Sequence, residues 1–135
     1  MENLKVSLRS GAQLLASLGS FSEGHRLYKA VTRELSRYNL AEGTAENLAM
    51  VMTSSEDVDT ALWPCLERAT YTPAGQTSLL KINQGLFENA EYRSDLLEIQ
   101  REVLGYNLIP FSLPVGSLLL AALKKDIGAL KQNAP

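Results

Sequence analysis

The chain has 135 residues, 45% of them apolar and 21% charged, with a formal net charge of -2 and a single cysteine. That length suits one domain, 1–135, with a hydrophobic core of its own, and the balance excludes a wholly disordered chain. A near-neutral total excludes bulk attraction to nucleic acid or an anionic membrane, and the lone Cys65 excludes an intrachain disulfide and favours a reducing compartment.

In chain order, helical signals dominate. Leu4, Leu8, Gly11, Leu15 and Leu18 follow helical spacing, with Gly19 as a stop. Ser22 is a candidate cap for a second helix whose apolar face is Leu27, Tyr28, Val31, Leu35 and Tyr38. A break at 41–43 precedes a short helix from Thr44 to Met52. Ser54 with Asp57 resembles a capping box. Val58, Leu62, Cys65 and Leu66 form the inner face of the helix that follows. Pro64 lies inside it and predicts a kink or a split near the middle of the chain.

The stretch 70–77, with Pro73 and Gly75, reads as a loop dividing two helical halves. Residues 79–87 suit either a helix capped by Ser78 or a short strand, and helix is the expectation. Residues 89–105 give the strongest helical pattern: Tyr92, Leu96, Ile99 and Val103 recur at helical spacing and Gly105 is a stop. The segment 106–114 carries Pro110 and Pro114 and predicts an extended arm. An apolar helix then runs to about Leu130. No sustained two-residue alternation marks a strand. The expected fold is therefore all-α, a compact bundle of roughly five to seven helices.

Two charge stripes stand out. Arg26, Lys29, Arg33 and Arg37 are spaced three, four and four, which puts them within about 80° of one another on a helix. Glu91, Asp95, Glu98 and Glu102 are spaced four, three and four. Each set lies opposite the apolar face of its own helix, so both are expected to face water. Charge is also sorted along the chain. Residues 1–41 hold six Lys/Arg against three Asp/Glu, and residues 42–102 hold four against eleven. Sorted charge favours oriented contact with a partner.

Catalytic motifs are missing. The only histidine, His25, sits early in the basic helix with no nucleophile or acidic orienter nearby in sequence. No phosphate-binding glycine loop, nucleophile elbow or zinc-protease motif is present. One His and one Cys leave no zinc set and imply no cofactor. Glu56, Asp57 and Asp59 fit the acidic first turn of a helix better than a calcium loop. Cys65 lies on an apolar face and reads as a core thiol.

The expectation for function is a non-catalytic protein-interaction or assembly module: an adaptor, a structural subunit or a small chaperone. The basic stripe would face the acidic stripe of a second copy, with Leu119, Leu123 and Leu130 of the last helix adding apolar contact. One alternative is a nucleic-acid-binding regulator using the stripe 26–37. The other is a small helical enzyme with a carboxylate site that carries no motif. The longest apolar run, at 118–123, falls far short of a bilayer span, so no transmembrane segment and a cytoplasmic location are expected.

Overall fold

The computed structural model describes residues 3–37, 50 and 52–111. Four short strands, β1 (Leu4–Ser7), β2 (Gln13–Ala16), β3 (Ala69–Thr72) and β4 (Leu80–Lys81), form one antiparallel sheet in the order β1-β2-β3-β4. The helices are α1 (Phe21–Arg37), α2 (Glu56–Leu66), the one-turn α3 (Ala90–Arg93) and α4 (Leu96–Leu108), with a 3₁₀ turn over Gln84–Glu88. The fold is mixed, and the expected all-α bundle is overturned. The expected C-terminal apolar helix, and the short helix over most of 44–52, lie outside the described residues.

The largest correction is at the N-terminus. Leu4, Leu8, Leu14 and Leu15 belong to a β-hairpin, and Leu18 follows it. A three-residue connection, Arg9–Gly11, joins its strands, closed by Leu8 N–H donating to the Ala12 carbonyl at 2.8 Å and Gly11 N–H to the Leu8 carbonyl at 3.0 Å. Gly11 has φ +94, the left-handed position that such a hairpin loop requires. In β2, Leu14 and Ala16 turn into the core while Gln13 and Leu15 turn out. Leu4 and Leu8 are four residues apart, a spacing that shares one face of a strand and of a helix alike.

β3 pairs with β2 across a long chain separation, Leu14 opposite Tyr71 and Ala16 opposite Ala69. The expected loop therefore starts later, at Pro73, where the Gln76 N–H closes a turn on the Pro73 carbonyl at 3.1 Å. The helix expected at 79–87 is replaced by β4 and the 3₁₀ turn, capped by Asn83, whose side chain accepts from the Leu86 N–H.

α1 begins on a reciprocal capping box at Ser20, two residues earlier than the expected cap at Ser22. Glu23 N–H donates to Ser20 Oγ at 3.3 Å, and Ser20 N–H donates to Glu23 Oε1 at 2.9 Å. Leu27, Val31 and Leu35 are buried, as the spacing predicts. α2 is capped by Ser55, whose Oγ accepts from the Val58 N–H at 3.2 Å. Val58, Leu62, Cys65 and Leu66 are its buried face. Pro64 does not split α2: it lies in the last turn, where one ladder hydrogen bond is lost at little cost to the preceding turns.

The long helix expected over 89–105 is broken at Ser94–Asp95. α3 is a single turn capped by Asn89, and α4 runs past Gly105, which is buried mid-helix, to Leu108. The inner face of the sheet (Leu14, Ala16, Ala69, Tyr71) joins α1, α2 and α4 in one apolar cluster with Leu27, Val31, Leu62, Leu66, Ile99 and Val103. Among the described residues, no helix is long and apolar enough to cross a membrane.

Candidate recognition groove

Because Leu27, Val31 and Leu35 hold one side of α1 in the core, Arg26, Lys29, Arg33 and Arg37 stand on its exposed side. Arg37 lies 3.7 Å from Glu34, a carboxylate buried on the same helix. Arg26, Lys29 and Arg33 form no ion pair among the described residues. These three line one wall of a groove of about 400 Å³ between α1 and the first half of α2. Asp57 of α2 lies on the other wall, and Phe21 and His25 also line the groove.

The start of α1 is aromatic. The His25 ring stacks on Phe21 at 5.2 Å and on Phe111 at 5.7 Å between centroids. Phe21 itself is 73% exposed. His25 is thus part of a ring stack beside the cations, with no carboxylate hydrogen-bonded to it among the described residues. Like charges held together along a groove wall raise the local potential and draw an anionic group to it.

The acidic stripe is not a surface. Glu91 is exposed and Glu98 half-buried, but Asp95 is 4% exposed and Glu102 7%. The outward-facing stripe is corrected for two reasons. The break at Ser94–Asp95 separates Glu91 from the other three in helical phase. α4 is also enclosed along most of its circumference, with every residue from Glu102 to Leu108 buried. Asp95 and Glu98 are engaged within the protein. Asp95 Oδ2 accepts from Ser10 Oγ at 3.0 Å and from the Tyr71 hydroxyl. Glu98 Oε1 accepts from the Arg9 N–H at 3.1 Å. Burial, and secondarily Glu98, pushes the Glu102 carboxyl above the ordinary carboxylate range. The expected apolar contacts Leu119, Leu123 and Leu130 lie outside the described residues.

A second cavity, of about 130 Å³, lies beside Ser10, Tyr71 and Asp95. The Ser10 and Tyr71 hydroxyls are already bonded to Asp95. Cys65 is fully buried, and desolvation together with the Glu23 charge pushes its thiol up to about 11, which suits a packed side chain and not a nucleophile. Among the described residues, no three His, Cys, Asp or Glu side chains gather as a metal-ligand set.

Several structural residues escape a reading by spacing. Glu23 closes the α1 cap and also accepts from Arg68 Nε at 2.6 Å, tying α1 to the α2–β3 connection. Asn107 on α4 accepts from the Gly19 N–H at 2.9 Å and donates to the Val103 carbonyl. A Cβ at Gly19 would come within 3.1 Å of both Asn107 Oδ1 and Cys65 Sγ, so a larger residue there would push these side chains apart by a few tenths of an ångström. The Ser20–Glu23 box was visible as Ser-Phe-Ser-Glu. The other pairings join distant residues and leave no local pattern.

Compared with known proteins, the chain matches no family model, no curated protein and no solved structure.

Proposed function

We propose that the protein is a non-catalytic recognition module that binds an acidic segment of a partner polypeptide in the groove between α1 and α2. The observation that carries this reading is the wall of Arg26, Lys29 and Arg33, three exposed cations with no ion pair among the described residues, beside the open Phe21 ring. Exposed charge pairs contribute only about 0–1 kcal/mol each. The cations therefore set orientation and association rate, and an apolar side chain of the partner resting on Phe21 supplies affinity.

The groove favours a polypeptide over a nucleic acid. Asp57 lines it, and Glu56 and Asp59 flank Asp57 in the first turn of α2. A continuous phosphate backbone would meet that acidic wall as well as the basic one, whereas a peptide can present carboxylates to one side and neutral groups to the other. The buried lone thiol fits a reducing compartment, and we place the protein in the cytoplasm on that ground.

The test is a titration of the full chain with a labelled amphipathic peptide carrying carboxylates at helical spacing and one aromatic residue. Binding should be saturable and salt-sensitive. It should weaken at least tenfold in the double variant Lys29→Glu with Arg33→Glu. Equal binding by wild type and variant would overturn the reading. Tighter binding to duplex DNA than to the peptide, with a steep salt dependence, would replace it with the nucleic-acid alternative.

A further inference from the structure

Among the described residues, the sheet has one long open edge. β4, at one end, is two residues. β1, at the other, is four, and among the described residues it pairs with β2 alone. The hairpin register shows which backbone groups face that edge. Leu8 N–H donates to the Ala12 carbonyl, and the same register places Val6 opposite Leu14 and Leu4 opposite Ala16. In an antiparallel ladder, hydrogen-bonded pairs alternate. Leu4, Val6 and Leu8 therefore exchange hydrogen bonds with β2, and the N–H and C=O groups of Lys5 and Ser7 point outward.

The side chains of this edge alternate as well. Leu4 and Val6 are half-buried and pack against the core, while Lys5 and Ser7 are exposed. An edge strand with its own apolar face is a template for another strand.

We propose that β1 is a dimerisation strand, pairing antiparallel with β1 of a second copy so that Val6 faces Val6 across the two-fold axis. Lys5 then lies opposite Ser7 of the second copy, and the two exchange both backbone hydrogen bonds. Symmetry repeats the exchange, giving four bonds and an eight-stranded sheet. Leu4 falls opposite Leu8 of the second copy on the core side. Neighbouring registers are worse. A shift of two residues one way sets Lys5 opposite Lys5, and like charges directly opposed are destabilising. A shift the other way centres the pair on Ser7 and sets Lys5 opposite Arg9, again like charges, at a residue whose N–H is already given to Glu98. A one-residue slip puts core-facing side chains against water-facing ones. The strand is thus self-complementary in one register, and this argues for a second copy over an unrelated strand.

The experiment is sedimentation equilibrium of the full chain over a wide concentration range. The expected result is a reversible monomer–dimer equilibrium. Ser7→Glu places a carboxylate opposite each Lys5 and should tighten the dimer about fivefold, as two cross-strand ion pairs would. Lys5→Pro removes only an outward N–H, leaves the β1–β2 ladder intact, and should yield a monomer with an unchanged circular dichroism spectrum. A chain that stays monomeric as wild type and as Ser7→Glu overturns the proposal. So does a dimer indifferent to Ser7→Glu, which also decides the matter if Lys5→Pro does not fold. The double variant Lys29→Glu with Arg33→Glu should leave the dimer intact, separating this edge from the groove.

Discussion

Tyr71 donates its phenolic hydrogen to Asp95 inside the protein, across a separation of 24 residues. The same carboxylate oxygen accepts from Ser10 Oγ. One buried acid therefore joins the hairpin loop, the third strand and the start of α4. It also explains the helix break beside it: Asp95 stands at the N-cap of α4 but makes no capping bond, because its side chain is turned to Tyr71 and Ser10.

Tyr71→Phe should destabilise the protein by about 1–3 kcal/mol, since it leaves a buried acceptor short of a donor. Burial first, and the bond to Asp95 second, hold the Tyr71 hydroxyl well above the ordinary tyrosine range. A group whose folded value is raised contributes stability that is fully present below its unfolded value and lost as pH rises above it. Urea unfolding from about pH 9 to about pH 11 should show wild-type stability falling as unfolded tyrosine ionises. The Phe variant should fall less steeply, Tyr106 and Cys65 supplying what slope remains. Parallel slopes for the two proteins would deny Tyr71 this role.

Glu102 runs the opposite way for an acid in a folded protein. Its carboxyl is raised by burial and by Glu98, so folding favours its protonated form. The associated stability is present below the unfolded value and is lost as pH rises through the folded one. Wild type therefore carries an uncompensated cost at neutral pH. Glu102→Gln should raise the urea midpoint at pH 7, and its advantage should vanish in acid. A lower midpoint at neutral pH would mean that the carboxylate is satisfied.

Glu23 can be divided into its two jobs. Ser20→Ala removes the acceptor for the Glu23 N–H and should cost about 0.5–2 kcal/mol of stability. Glu23→Gln keeps an oxygen for the Ser20 N–H but loses the charge that faces Arg68. The bond from Arg68 holds the Glu23 carboxyl below the usual range. Its contribution is present above the unfolded value and is lost as pH falls through the folded one. The difference between wild type and Glu23→Gln should thus shrink in acid and in high salt, because the pair is partly exposed. Chemical denaturation of both variants at two salt concentrations measures this.

Sequence by itself determined what repeats over a long stretch. α1 spans 17 residues, enough for Leu27, Val31 and Leu35 to mark a buried side and for Arg26, Lys29, Arg33 and Arg37 to mark an exposed one. The buried face of α2 and the turn at Pro73–Gly75 were legible for the same kind of reason, since the determinants are local. Tertiary structure alone decided the rest. Each of β1, β2 and β3 has four residues, too few for period two to stand out from a helical spacing, and β2 is held by β3 from the far side of two helices. The four acids read as one stripe are separated by a break that Asp95 makes possible, and two of them are buried because other elements enclose α4. A residue's exposure depends on what packs over it from elsewhere in the chain, and helical spacing carries no record of that.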